Sequence, residues 1–224
     1  MSSPACPPIS SFNKYSNHMK PINTIVFDLG GVLVDWNPDY VFKKVFSDPG
    51  ELEWFYQNVC TADWNEEQDA GRTLEEATET LVKKFPDHEA HIRMYYDHWE
   101  EMLGGPIEKT VALLSHLKHK TDYRLYALTN WSAETFPIAL GRYEFLHWFH
   151  GRLVSGEEKM RKPFKEIYEL LIARFGIDPT TSVYVDDNYR NLVPAKELGF
   201  RVIHFQSPEQ FKKELEALGV GFED

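Results

Sequence analysis

The apolar positions of this chain fall into short blocks separated by longer amphipathic stretches. The blocks Thr24 to Phe27, Arg124 to Leu128, Arg152 to Val154, Ser182 to Val185 and Arg201 to His204 predict strands. The spacing between them predicts helices over Ile107 to Lys118, Ala133 to Gly141, Phe164 to Phe175, Tyr189 to Leu198 and Pro208 to Leu218. Pro163 and Pro208 suit helix starts, and Gly176 and Gly199 suit helix ends. Short strands alternating with amphipathic helices predict an α/β fold with a parallel sheet covered on both faces.

One interval breaks that rhythm. Between the first strand and Gly104-Gly105-Pro106 there is no strand-like alternation, only helical patterns. They cover Pro38 to Phe46, Glu51 to Cys60, Thr73 to Phe85 and His88 to Leu103, with Thr73 and Glu76 spaced as a capping box. Inserted after the first strand, these helices would lie over the C-terminal edge of the sheet as a lid. The expected organisation is a core of residues 21–36 and 105–224, a small all-helical cap of residues 37–104, and a disordered lead-in of residues 1–20. That lead-in is rich in Ser, Pro and Asn, and Met19 stands in it as an alternative start.

Charge narrows the choice of partner. Among 224 residues, 24 Lys and Arg face 35 Asp and Glu, giving a net charge of -11. That field repels phosphate backbones and anionic lipid, so neither nucleic acid nor a membrane surface is an expected partner. No apolar run approaches the length of a membrane span, and the first twenty residues lack a signal peptide's apolar stretch. Cys6 and Cys60 lie far apart and outside any metal-ligand spacing, as in a reduced compartment. The expected location is the cytoplasm; monomer and homodimer both stay open.

The candidate chemistry sits where strands should end. Ile25-Val26-Phe27-Asp28-Leu29-Gly30-Gly31 delivers a carboxylate at the end of an apolar strand, followed by two glycines that free the backbone to turn or to approach a ligand. Leu128-Thr129-Asn130-Trp131-Ser132 places a hydroxyl and an amide at a second strand end, a pattern that also fits an ordinary helix N-cap. Arg161-Lys162-Pro163 puts a cation before a helix, and Val185-Asp186-Asp187 ends a strand on adjacent carboxylates. Such neighbours repel by about 1 kcal/mol in water and about 4 kcal/mol near a protein surface, which a divalent cation would relieve. Ligands of open parallel sheets bind outside the strands' carboxyl ends, so Asp28, Thr129, Lys162 and Asp186 should converge there. Hard oxygen donors of this kind suit Mg²⁺.

With Asp28-Leu29-Gly30, Leu128-Thr129-Asn130, Lys162-Pro163 and Asp186-Asp187 in this order, the chain resembles the haloacid dehalogenase superfamily, in its Mg²⁺-dependent phosphatase branch with a helical cap after the first strand. The resemblance implies a Rossmann-like core and a small phosphorylated metabolite as substrate. It implies that Asp28 attacks phosphorus to form an aspartyl-phosphate that water hydrolyses. Thr129 would bind the phosphoryl oxygens and Lys162 would offset the charge. Asp28, the Gly30 carbonyl, Asp186 and Asp187 would hold Mg²⁺.

The chain departs from the family pattern at Gly30. Most phosphatases of the family carry a second Asp there as general acid and base, worth about 10²–10⁴-fold, or roughly 3–5 kcal/mol. Its loss is tolerable if the leaving group is good or another group supplies the proton; Asp35 and Asp63 are the candidates by position. The Asp-Leu-Gly motif resembles the branch's glucose 1-phosphate phosphatases, which favours a sugar phosphate. Trp36, Asp63, Trp64, Arg72 and Asn130 are the expected substrate-binding groups, with Asn37, Asn65, Glu67, Gln68 and Asp69 of the insert as further candidates, although Trp64 equally suits packing and Arg72 equally suits a pair with Glu75 or Glu76. The run Tyr95 to Trp99 reads as one buried helix face. Two alternatives stand: a metal-free 2-haloacid dehalogenase, which also lacks the second Asp, and a catalytically weak phosphate-binding or interaction protein.

Overall fold

The computed structural model describes residues 20–222, so Cys6, Met19 and all but Lys20 of the expected lead-in lie outside the described residues. Strand β1 (Thr24–Phe27) is followed by a short antiparallel ribbon of β2 (Val34–Trp36) and β3 (Leu103–Pro106). Strands β4 (Arg124–Thr129), β5 (Gly151–Val154), β6 (Ser182–Asp186) and β7 (Arg201–His204) complete the main sheet. Its order is β5-β4-β1-β6-β7 and every pairing is parallel, the α/β Rossmann-like architecture expected.

The central strand explains why its sequence is apolar throughout. β1 has strands on both sides and helices on both faces, so all four of its residues are buried. Ile25 and Phe27 pack with Leu114 and Leu117 of α6 (Glu108–Lys120) and with Phe211 and Leu215 of α11 (Pro208–Ala217). Val26 points the other way, toward Ile167, Tyr168 and Leu171 of α9 (Lys165–Phe175) and Leu192 of α10 (Tyr189–Glu197). Each such side chain contributes about 1.5–3 kcal/mol of burial, which fixes the register of β1 between the two layers.

Between β2 and β3 run α1 (Asp39–Phe42), α2 (Pro49–Asn58), α3 (Ala62–Asp69), α4 (Leu74–Lys84) and α5 (Glu89–Asp97). The predicted N-cap holds: Thr73 Oγ1 accepts from the Glu76 amide at 3.1 Å. Three local expectations need correction. The β2–β3 ribbon was invisible because its strands are three and four residues long and one carries Gly104 and Gly105, which give no alternation. Helix α3 was missed because its sequence has no apolar stripe and only Gln68 of it is buried; Thr61 Oγ1 caps it at 3.1 Å from the Trp64 amide. The Tyr95–Trp99 run is not one face, since α5 stops at Asp97, a 3₁₀ turn carries the buried Trp99, and Asp97 and His98 are exposed.

Two helices also begin later than their sequences imply. α7 (Phe136–Arg142) starts after a turn in which Ser132 Oγ accepts from the Glu134 amide at 3.2 Å. Glu134 instead reaches across to the cap, where its Oε1 accepts from the Leu74 amide of α4 at 2.8 Å. Pro163 precedes α9 by two residues, whereas Pro208 opens α11 and Gly176 closes α9 at φ 61° as expected. The short α8 (Ser155–Glu158) after β5 has no counterpart in the sequence reading.

Candidate active site

Parallel strands end on one edge, and the backbone there aims the predicted residues at one another. The Asp28 amide donates to the Val185 carbonyl at 2.9 Å, which ties the end of β1 to β6. The chain then turns through Gly31 at φ 70°, where Leu33 and Val34 both donate to the Leu29 carbonyl at 2.8 and 2.9 Å. A side chain on Gly31 would meet Asp187 Oδ2 at 2.2 Å, so this glycine is what lets the turn lie against the acidic pair.

Lys162 joins the carboxylates. Its Nζ lies 2.8 Å from Asp28 Oδ2 and 2.7 Å from Asp186 Oδ2, fully buried. Asn130 holds it there from the next loop: Asn130 Oδ1 accepts from the Lys162 amide at 2.8 Å, and Asn130 Nδ2 donates to the Lys162 carbonyl at 3.0 Å. The Asn130 side chain expected to contact substrate is therefore spent on positioning the lysine. Asp186 also accepts from Tyr184 Oη at 2.5 Å, the Asn188 amide at 2.8 Å and Asn191 Nδ2 at 3.0 Å. Thr129 Oγ1, at the end of β4, is buried without a hydrogen-bond partner among the described residues.

The charges do not balance. Burial pushes the Asp28 carboxyl well above the usual range, and Asp186 pushes it further, against the pull of Lys162. Burial would raise Asp186 too, but the Lys162 ammonium outweighs it and holds that carboxyl below its ordinary value. Burial pulls the Lys162 ammonium down, while Asp186 and Asp28 more than restore it, so its net shift is upward. Asp187, exposed, is raised by desolvation and by its neighbour Asp186. One oxygen each of Asp28, Asp186 and Asp187 lies within 4.8 Å of the others. Three carboxylates against one ammonium leave two negative charges in excess, and the donor set is entirely hard oxygen, which fits a divalent cation such as Mg²⁺.

Above this floor is a cavity of about 130 Å³ lined by Gly30, Trp36, Asn65, Asp69, Tyr96 and Trp99 on one side and by the Asn130–Ser132 loop with Thr135 on the other. Of the expected substrate-binding residues and further candidates, Trp36, Asn65, Asp69 and Asn130 line it. Asp63 does not: it is exposed near the start of α3. Trp64 packs between helices, with its ring 5.2 and 5.3 Å from Tyr95 and Tyr96 and its Nε1 donating to the Ala77 carbonyl at 3.3 Å. Arg72 pairs with neither Glu75 nor Glu76; it donates to Gln68 Oε1 at 2.8 Å and to the Trp64 carbonyl at 2.9 Å. Asp35 is turned away on β2, accepting from Tyr40 Oη.

Sequence reasoning missed several residues of the site. Ser155 Oγ accepts from the Trp131 amide at 2.9 Å, and a side chain on Gly156 would meet the Ala133 amide nitrogen at 2.4 Å, so the loop that follows β4 is moulded against α8. Glu66 of α3 meets Arg161 at 2.7 Å and also Arg190 of α10, which ties the inserted helices to the segment before α9 and to the start of α10. A small residue after a strand, as Ser155-Gly156 is after β5, was the available signal.

This arrangement, a carboxylate after the first strand with a buried lysine, an acidic pair and a helical insert, has clear relatives. A family model for haloacid dehalogenase-like hydrolases matches residues 22–199, and the chain belongs to that family of hydrolases. Drimenol cyclase drtB of Aspergillus calidoustus is 24% identical over 87% of this chain, which spans only 36% of that protein's length. Sesquiterpene phosphatase astK of Aspergillus oryzae is 24% identical over 80% of this chain and 87% of its own, and pyrophosphatase PpaX of Bacillus velezensis is 25% identical over 80% and 81%. Among solved structures, the HAD family enzyme bt-2542 of Bacteroides thetaiotaomicron superposes with a TM-score of 0.67 at 24% identity over 88% of this chain and 99% of its own. The same enzyme has been solved with magnesium and inorganic phosphate. No helix among the described residues is long and apolar enough to cross a membrane.

Proposed function

We propose that this chain is a Mg²⁺-dependent phosphatase acting on a small phosphorylated metabolite, a sugar phosphate, through an aspartyl-phosphate on Asp28. The observation that carries the reading is the cluster of Asp28, Asp186 and Asp187 around Lys162, with two negative charges in excess. A metal-free dehalogenase has no need of that excess, because its carboxylate attacks carbon. Asp28, Asp186, Asp187 and the Gly30 carbonyl would hold Mg²⁺, which when bound neutralises charge on the phosphoryl oxygens.

The chain's own residues supply the rest. Lys162 orients the Asp28 carboxylate and favours its ionised form against burial, and the Thr129 hydroxyl, unpartnered among the described residues, would bind a phosphoryl oxygen. Positioning and charge neutralisation account for most of phosphoryl-transfer catalysis. The walls favour a sugar. Trp36, Trp99 and Trp131 line the cavity, and the buried indole N–H groups of Trp36 and Trp131 have no partner among the described residues. Unpartnered donors suit an oxygen-rich ligand better than a terpene chain.

The test is phosphate release from a panel of sugar phosphates and p-nitrophenyl phosphate, with Mg²⁺ and with EDTA, beside Asp28→Asn. Release that needs both Mg²⁺ and Asp28 is the expected result. EDTA-insensitive halide release from 2-haloacids, with no phosphate release, would replace this reading by the dehalogenase.

A further inference from the structure

Cleaving a phosphate ester of an ordinary alcohol needs a proton for the departing oxygen, and the floor of this site offers none. Lys162 is committed to two carboxylates and Asp28 is the attacking group. Gly30, where the family pattern has an acid, carries no side chain, and the space a Cβ would enter there has no heavy atom within 4 Å. The cavity lined by Gly30 contains one carboxyl, that of Asp69 at the end of α3.

We propose that Asp69 is the general acid and base of this enzyme, supplied by the cap in place of the missing acid on the core; the proposal rests on the phosphatase reading above. Asp69 is half-buried, and no cation answers it at ion-pair distance among the described residues. The arginines nearby are engaged elsewhere, Arg161 with Glu66 and Glu67, and Arg72 with Gln68 and the Trp64 carbonyl. Asp69 lines the same cavity as Asn130, Trp131 and Ser132 of the loop that follows β4. The cavity's other titratable group, Tyr96, is a poor donor, because burial raises its hydroxyl far above the working range.

The charges around Asp69 favour the proton it needs. Burial pushes its carboxyl up to about 7 and Glu66 on the same helix adds to this, while Lys162, Arg161 and the Ser132 backbone hold it back. From α5, Tyr95 and Tyr96 face it as neutral hydroxyls. An acid with a pKa near the working pH transfers a proton most effectively.

The steps balance. An Asp28 oxygen bonds to phosphorus as the bond from phosphorus to the ester oxygen breaks; that electron pair stays on the ester oxygen, which takes the Asp69 proton and leaves as the alcohol. Asp69, now a carboxylate, takes a proton from water as the water oxygen bonds to phosphorus. The bond from phosphorus to Asp28 breaks, inorganic phosphate departs, and both aspartates return to their starting states.

The experiment compares kcat/KM for a sugar phosphate and for p-nitrophenyl phosphate in the wild type and in Asp69→Asn. Nitrophenolate leaves without a proton, so the variant should lose about 10²–10⁴-fold on the sugar ester and little on the aryl ester. The fall of wild-type kcat/KM for the sugar ester above about pH 7 should vanish in the variant. Lacking its base, the variant should also release nitrophenolate as a burst followed by slow turnover. A misfolded fraction lowers both esters alike and cancels in their ratio. Equal losses on the two esters, or none, would overturn the proposal; a wild type that releases phosphate from neither ester would overturn the phosphatase reading itself.

Discussion

The floor and the walls of the cavity are built on opposite principles. On the floor, Asp186 accepts from Lys162, Tyr184, Asn188 and Asn191, and Lys162 is clamped from behind by Asn130. Asp186 and Lys162 are over-determined, so little reorganisation remains for them at the moment of reaction. On the walls, the indoles of Trp36 and Trp131 leave buried N–H groups unpaired among the described residues, and no described cation lies at ion-pair distance from Asp69. A buried donor without a partner costs about 1–3 kcal/mol, which a ligand can repay. The difference separates two tasks: the floor holds geometry that any phosphate ester needs, and the walls keep unspent interactions for one particular ester.

The largest blow to that contrast is to empty the floor of its cation. Lys162→Met would leave Asp28 and Asp186 buried and unanswered. The expected loss is about 3–5 kcal/mol of stability, with Tm falling about 2–4 °C for each kcal/mol, read by thermal unfolding at pH 7. A change on the wall should have the opposite sign. Trp36→Phe removes an N–H that nothing satisfies while keeping the ring, so stability should hold or rise by up to about 1–3 kcal/mol. Its cost should appear as a higher KM for the preferred sugar phosphate. If Trp36→Phe unfolds as readily as Lys162→Met, the wall is as tightly determined as the floor and the contrast fails.

The same division governs what could be read in the sequence. Asp28, Thr129, Lys162 and Asp186 were legible because each sits at the end of a strand or just ahead of a helix, and a parallel sheet brings such positions to one edge. The five main strands were legible because buried strands leave apolar runs that little else explains. The walls were legible only in outline: Trp36, Asn65 and Asp69 stood among the insert's candidates, but beside others that do not line the cavity. Asp69 and Asp63 lie on the same helix, yet six positions place them about 120° apart around it, so one enters the cavity and the other faces water. Nothing in α3 marks which face turns inward, because its sequence is polar nearly all round and Glu66 meets its partners, Arg161 and Arg190, from segments distant in the chain. Asn130 shows a subtler limit: its place on the cavity was foreseen, but an amide beside a phosphate site gives no sign that its side chain is committed to the Lys162 backbone.

The smallest expected effect lies where wall and floor are joined. Glu134, in the loop after β4, is exposed, and its carboxylate accepts from the Leu74 amide at the start of α4. Two physical terms act there: a charge-assisted hydrogen bond, and a negative group at a helix N-terminus worth about 0.3–1 kcal/mol. Both are screened by water and salt, and Thr73 already caps the same helix, so the first turn of α4 survives without Glu134. Glu134→Ala should therefore cost only about 1 kcal/mol and lower Tm by about 2–4 °C. Its effect on catalysis should be more selective. If the contact helps hold the cap walls over the core, KM for a sugar phosphate should rise a few-fold while kcat on p-nitrophenyl phosphate stays near wild type, because the floor is untouched. Raising the salt concentration should shrink the difference between variant and wild type, since the wild-type contact weakens as it is screened. A fall in kcat on both esters with unchanged KM would instead mean that this exposed carboxylate helps to set the floor, and that floor and walls are not separable.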